Sequence, residues 1–133
     1  MKADADTTKE ILAVLDRLSA AYEARDLEGA CLLFSPNVET SFFGAGGHAP
    51  YIGPEGIRAI VGKIMGLDEV FTLRLREATV SARGDVAWCV ADAEIVARVG
   101  TAERRHPYRM TVILEGGRGR WRIAHHHGSE PAE

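Results

Sequence analysis

The residues of this sequence best suited to acid–base chemistry are three consecutive histidines, His125, His126 and His127. An imidazole titrates near neutral pH, so it can take up or release a proton under ordinary conditions. Neighbouring side chains of a β-strand point to opposite faces, so only His125 and His127 can share a site. Trp121 and Ile123 alternate with them along the same segment. The pattern therefore predicts that His125 and His127 face the interior and that His126 faces outward.

The same histidines are also candidate ligands for a metal ion. His125 and His127 would lie about 6.6 Å apart along a strand, and His106 or His48 could supply a third ligand. No spacing typical of zinc ligands demands it, however. We expect neither a metal nor a cofactor. A serine hydrolase is not indicated either, because no GxSxG segment surrounds any serine.

Length and composition limit the class of protein. The chain has 133 residues, 46% of them apolar and 26% charged, which is typical of one globular domain. Its net charge of −3 gives no overall basic field for nucleic acid or an anionic membrane surface. No apolar run is long enough to span a membrane, and the two cysteines show no paired spacing. We expect a cytoplasmic protein with free thiols that binds neither nucleic acid nor a membrane.

The elements that must position the histidines can be read from periodicity and turn residues. The expected domain spans 7–130, between a flexible segment over 1–6 and a tail over 131–133. Capping and apolar spacing predict helices over 7–24, over 27–34 after Asp26, and from Pro54 to Gly66. Alternation predicts strands over 38–43, 69–82, 86–99, 106–115 and 120–127. The order indicates an α+β fold, with helices covering one face of a mostly antiparallel sheet.

Several segments together resemble a known family. They are YEARDLEGACLLFSPNV (22–38), GPEGIR (53–58), GDVAW (84–88), RMTVIL (109–114) and GRWRIAHHHGS (119–129). Their order is similar to that of the SnoaL-like branch of the NTF2-like superfamily, over roughly 8–130. The subgroup they resemble contains the association domain of calcium/calmodulin-dependent kinases. The resemblance implies a cystatin-like cone, in which a strongly bent sheet wraps around the long first helix, with a pocket inside the cone and a homodimer through the outer sheet face.

The steroid isomerases of this superfamily provide a test of function. Counted from the pattern at 26–27, their general base falls on Phe42, their oxyanion-hole tyrosine on Leu18 and their protonated aspartate near Thr111. These replacements leave no carboxylate to move a proton, so steroid-isomerase activity is not expected.

The resemblance leaves two functions open. The first is a pocket for a small, partly apolar ligand that could carry a carboxylate, which the protein would either only bind or also convert by cofactor-independent acid–base chemistry of the isomerase, cyclase or dehydratase type. In that case His127 or His125 would carry the proton and Arg109 would hold a negatively charged oxygen. The expected lining is Tyr22, Phe42, Tyr51, Trp88, Thr111 and Trp121. The alternative is a non-catalytic association module that acts through the outer sheet face.

Overall fold

The computed structural model describes residues 1–44, 46 and 50–132. His48, considered above as a metal ligand, and the last residue of the predicted tail lie outside the described residues. The described part forms three helices and six strands in an α+β arrangement. In chain order they are α1 (Ala5–Ala24), α2 (Leu27–Cys31), β1 (Ser41–Phe43), β2 (Tyr51–Ile52), α3 (Gly53–Met65), β3 (Val70–Arg83), β4 (Val86–Val99), β5 (Ala102–Glu115) and β6 (Arg122–Ser129). Within the described residues, no helix is both long and apolar enough to cross a membrane.

The six strands form one mixed sheet in the order β2-β1-β6-β5-β4-β3. Strands β3 to β6 are an antiparallel meander, as the sequence predicted, and β1 joins β6 in parallel. The glycines at the tips of this meander include Gly84 and Gly100, with φ angles of 62° and 57°. Glycine adopts such left-handed conformations without steric cost, which allows the tight turns.

Helix α1 begins earlier than the sequence predicted. Asp4 is its N-cap and accepts a hydrogen bond of 2.8 Å from the amide of Thr7, the residue expected to be the cap. The helix buries an apolar stripe of Ile11, Val14, Leu15 and Leu18. This stripe places α1 against the inner face of the sheet, where the hydrophobic core lies.

The first residues, for which the sequence predicted a flexible segment, make backbone contacts with the sheet. The amide of Ala3 donates to the carbonyl of Val80, and the amide of Ala82 donates to the carbonyl of Met1. Both contacts lie on β3, which is an edge strand of the sheet. The first residues therefore cover part of an edge that would otherwise expose unpaired backbone groups.

A β-bulge in β6 changes the predicted orientation of the histidines. Ile113 pairs with His125, and Leu114 pairs with Ile123, so Ala124 is an additional residue without a partner on β5. Beyond a bulge the alternation of faces is shifted by one residue. His126 therefore shares the inner face with Ile123, and His125 and His127 lie on the outer face. The prediction from simple alternation was wrong for this reason.

The shortest elements depart from their predicted bounds. The first strand is limited to β1, and Val38, predicted to begin it, is 82% exposed. Strand β2 was not predicted, because two residues are too few to show a period. Helix α2 ends at Cys31, and Phe34 instead forms an isolated bridge with Ile123. The thiols of Cys31 and Cys89 are both free.

Candidate functional site

A cavity lies between the helices and the inner face of the sheet. Its wider part has a volume of about 360 Å³ and continues into a smaller recess of about 80 Å³. Phe42, Ile64, Phe71, Ile95 and Tyr108 line both parts, which makes them one continuous site. Most of the walls are aliphatic or aromatic, the usual form of a site for a small organic ligand.

Tyr108 and His126 are the polar pair at the recess. The hydroxyl oxygen of Tyr108 lies 3.0 Å from Nε2 of His126, at hydrogen-bonding distance. The ring of Phe42 stacks on the imidazole, with 4.3 Å between ring centroids and 1° between the planes. Nδ1 of His126 is buried and has no hydrogen-bond partner among the described residues. The imidazole is therefore fixed between a phenol and an aromatic ring, with one nitrogen unused.

Burial keeps both groups of this pair uncharged. It lowers the pKa of His126 to about 3, with a smaller contribution from the neighbouring imidazoles of His125 and His127. Burial likewise raises the pKa of Tyr108 to about 12, with a smaller contribution from the Glu130 carboxylate. At neutral pH the recess therefore offers an uncharged phenol and an uncharged imidazole.

Gly128 makes room for this arrangement. A Cβ atom at this position would overlap the hydroxyl group and ring of Tyr108. The phenol can therefore approach the β6 backbone closely enough to reach His126, two residues away along the strand. A side chain at position 128 would force the phenol aside.

The wider part of the cavity carries a second polar group. His106 and Glu130 line it, with Nδ1 of His106 3.6 Å from a carboxylate oxygen of Glu130. Nε2 of His106 is buried without a partner among the described residues. No lysine or arginine lines the cavity within the described chain. The cavity thus contains one carboxyl group, on Glu130, with the imidazole of His106 beside it.

The predicted lining residues divide between the cavity and other places. Tyr22, Phe42 and Tyr51 line the cavity, and burial raises the pKa of the Tyr22 hydroxyl. Trp121 belongs to the hydrophobic core and is not among the residues that line the cavity. Trp88 pairs with Ile113 in the sheet and follows the inward-facing Ala87, so it lies on the outer face.

Three of the predicted polar residues lie on the opposite side of the sheet. Arg109, Thr111 and His127 line an open groove on the outer face. Nε of Arg109 is 3.2 Å from a carboxylate oxygen of Asp92, and both side chains are exposed. Arg109 therefore has a surface partner and does not reach the cavity, because β5 alternates and Tyr108 takes the inward position.

His125 also lies on the outer face. Its Nδ1 is 2.6 Å from the hydroxyl of Ser41 on the parallel strand β1. Partial burial lowers its pKa, and the neighbouring His127 adds to the effect. Phe43 contacts both imidazoles, with ring centroids 5.4 Å from His125 and 5.5 Å from His127. No group of three potential metal ligands comes together within the described chain.

Sequence reasoning did not select Tyr108, His126 or Gly128 as site residues. Tyr108 could have been found, because it shares the apolar face of its strand with Met110 and Val112. His126 could not have been found, because its orientation depends on the bulge at Ala124, and the residue pattern does not indicate this bulge.

Comparisons with known proteins identify the class of this fold. A family model described as a SnoaL-like domain matches residues 11–133. The chain therefore belongs to the SnoaL-like family, and its fold is the NTF2-like, cystatin-like one that the sequence resemblance implied. None of the curated proteins matches the chain.

Several solved structures share this fold at low sequence identity. A candidate dehydratase of the NTF2-like family from Streptomyces avermitilis has a TM-score of 0.86 and 18% identity, covering 98% of this chain and 100% of that one. A candidate calcium/calmodulin-dependent protein kinase II association domain from Xanthomonas campestris has a TM-score of 0.82 and 18% identity, covering 99% and 95%. A Catenulispora acidiphila protein in complex with S-DNPA has a TM-score of 0.82 and 15% identity, covering 96% and 95%.

Proposed function

We propose that this protein binds a small, mostly apolar molecule in the cavity between its helices and its sheet. The observation that carries the proposal is the continuous lining of Phe42, Ile64, Phe71 and Ile95 around a space of about 360 Å³ and its recess. Filling such a space with apolar atoms removes both ligand and wall from water, which is favourable. The Catenulispora acidiphila relative, with S-DNPA in its complex, is consistent with a binding role for this fold.

The position of Arg109 removes the basis for expecting a carboxylate on the ligand. That expectation depended on a guanidinium inside the pocket, and Arg109 instead pairs with Asp92 on the outer face. An ionised group taken into an apolar cavity without a counter-charge is strongly disfavoured. We therefore propose a ligand without a negative charge.

Proton transfer of the isomerase, cyclase or dehydratase type is the chemistry that the cavity could add to binding. Tyr108 and His126 in the recess, and His106 and Glu130 in the wider part, are side chains able to donate or accept a proton next to a bound molecule. The earlier candidates His127, His125 and Arg109 face away from this space. An enzymatic role would therefore depend on these inward-facing groups.

Binding can be tested with prodan, an uncharged fluorescent naphthyl ketone whose emission moves to shorter wavelength in apolar surroundings. We expect saturable binding to the wild-type protein. Ile64→Trp, which fills the cavity, should weaken binding at least tenfold. Leu32→Trp is the matched control, because Leu32 is 68% exposed and does not line the cavity.

Circular dichroism must first show that both variants are folded. The absence of saturable binding to the wild type, or equal binding by the two tryptophan variants, would contradict the proposed site.

A second proposal concerns the outer face of the sheet, which exposes apolar side chains. Phe43, Val90 and Ile113 are 37%, 46% and 36% exposed. We propose that a second copy of the chain covers this face in a homodimer, since burial of such a surface would be favourable. Light scattering should give the mass of a dimer, and Val90→Glu should reduce it to that of a monomer.

Val38→Glu is the control for the dimer, because Val38 is 82% exposed and lies outside the sheet. A monomeric wild type would contradict the homodimer. A much larger assembly would instead favour the association module.

A further inference from the structure

We infer that Tyr108 and His126 form a binding site for an uncharged oxygen of the ligand, either a carbonyl or a hydroxyl oxygen. The inference depends on the proposed function, since it concerns the inner end of the same cavity. It adds the chemical class of the ligand: an apolar body that carries one oxygen able to hydrogen-bond, with no ionised group.

The hydrogen-bonding capacity of the pair supports this site. A phenol has one donor and can accept at its oxygen, whereas a neutral imidazole has one donor and one acceptor nitrogen. The bond of 3.0 Å between the Tyr108 hydroxyl and Nε2 of His126 uses only one donor and one acceptor. Nδ1 of His126 has no partner within the described chain although it is buried. Tyr108 and His126 therefore keep hydrogen-bonding groups that no described residue of the protein uses.

Either tautomer of His126 leaves the phenol able to bind an oxygen. If Nε2 carries the proton, it donates to Tyr108, and the phenol hydrogen is free to bond a carbonyl oxygen of the ligand. If Nε2 is unprotonated, the phenol donates to it, and the phenol oxygen can accept from a hydroxyl of the ligand. Both arrangements match an oxygen without charge.

The residues around Tyr108 hold its phenol at the recess. Tyr108 lines both parts of the cavity, and His126 lines the recess. The stacked ring of Phe42 fixes the imidazole, and the lack of a side chain at Gly128 lets the phenol reach it. Groups held in place before binding lose little conformational freedom when the ligand arrives.

The charges around the cavity disfavour a carboxylate. No lysine or arginine lines the cavity within the described residues, and Glu130 contributes a carboxylate of its own to the wider part. Burial disfavours protonation of His126, so its imidazole supplies no positive charge at neutral pH, and the imidazole of His106 already has the Glu130 carboxylate beside it. An anion would lose its hydration without gaining a counter-charge. An uncharged oxygen loses far less hydration free energy when it enters the cavity.

The test compares probes that share one naphthyl body. They are prodan, the alcohol made by reducing its ketone, the parent dimethylaminonaphthalene without the oxygen, and the corresponding dimethylaminonaphthoic acid. The variant is Tyr108→Phe, which removes one hydroxyl. We expect it to raise the Kd for prodan or for the alcohol about five- to tenfold, the effect of one lost hydrogen bond, and to leave the Kd for the parent compound unchanged.

Ser41→Ala provides the comparison, because it removes a hydroxyl that lies on the outer face of the sheet, away from the cavity. The loss that is specific to oxygen-bearing probes should be confined to Tyr108→Phe. Whichever of the two probes, the ketone or the alcohol, shows the larger increase in Kd in Tyr108→Phe carries the kind of oxygen that the site prefers. As a second measurement, the emission of bound prodan should move further to shorter wavelength in Tyr108→Phe, because its ketone loses a hydrogen-bond donor.

The outcomes separate this inference from the proposed function. If the parent compound binds the wild type but Tyr108→Phe affects every probe equally or none, the oxygen site is wrong and the cavity proposal stands. The oxygen site is also wrong if the naphthoic acid binds the wild type more tightly than prodan does. If no probe binds the wild type, both the cavity proposal and the oxygen site fail.

Discussion

Gly128 lies directly against the phenol of Tyr108, in a position where any Cβ atom would overlap the hydroxyl and the ring. Gly128→Ala should therefore displace the phenol and lower the free energy of unfolding by about 1–3 kcal/mol, the usual cost of overpacking. Urea denaturation measures this change. If Tyr108→Ala is introduced first, the second substitution should cost clearly less; an equal cost in both backgrounds would contradict the contact.

Gly62→Ala is the control for that experiment. Gly62 lies within α3, and a Cβ atom there would meet nothing within 4 Å. Alanine in a helix reduces the conformational entropy of the unfolded chain, so this variant should gain about 0.4–1 kcal/mol in stability.

The buried imidazole of His126 should make stability depend on pH. The folded protein resists protonation of His126 down to its pKa of about 3, whereas the unfolded chain takes up this proton near 6.5. The unfolded state then holds more protons within this window. The contribution of His126 is therefore complete above pH 6.5, and stability falls as pH decreases, by about 1.4 kcal/mol per pH unit for one proton.

Urea denaturation at several pH values measures that slope. His126→Gln should flatten it between pH 6.5 and pH 4 relative to the wild type, because the titrating group is removed. His125→Gln is the comparison, since burial also lowers the pKa of His125, but the side chain is less enclosed. A slope that is unchanged in His126→Gln would show that the imidazole is not buried as an uncharged group.

Ser19 should stabilise the free edge of β3. Its hydroxyl donates to the carbonyl of Leu73 at 3.0 Å and accepts from the amide of Leu73 at 2.9 Å. Ser19→Ala leaves both backbone groups without this partner, so we expect a loss of about 1–3 kcal/mol in the free energy of unfolding. Ser129→Ala, at an exposed position, should change it by less than about 0.5 kcal/mol. Equal effects would show that the edge contact contributes nothing.

Asp26 should be required for the short helix α2. Its carboxylate accepts a hydrogen bond of 2.9 Å from the amide of Gly29 and thereby caps the helix. Asp26→Ala should lower the free energy of unfolding by about 1 kcal/mol, whereas Asp26→Asn should retain most of it, because asparagine caps equally well. The two variants are compared by thermal and urea denaturation. An equal loss in both would mean that charge, and not capping, is the contribution of Asp26.

Much of the fold could be predicted because strong local signals mark its long elements. The bounds of β4 were predicted to the residue, since regular alternation is bounded there by the turn residues Gly84 and Gly100. Pro54 and Gly66 mark the two ends of α3 in the same way. Such signals come from backbone geometry that few residue types satisfy.

The candidate site was less predictable because it depends on contacts distant in sequence. The pairing of β1 with β6 brings Phe42 onto His126, and nothing local to either segment indicates it. Tyr22, Phe42 and Tyr51, which the sequence analysis named as lining residues, lie at the wall of the cavity. His126 was missed, because a single unpaired residue in β6 reverses which histidine turns inward.

Because Ala124 is the unpaired residue of the β6 bulge, the bulge decides which imidazoles of β6 face the cavity. A regular strand with Ile123 still inward would enclose His125 and His127 and expose His126; the bulged strand encloses His126 alone. Two enclosed imidazoles would repel each other when both are protonated, whereas a single enclosed imidazole has no such neighbour on β6. Loss of the bulge at unchanged strand length would thus turn His125 and His127 from the outer face into the cavity, without any new side chain being introduced.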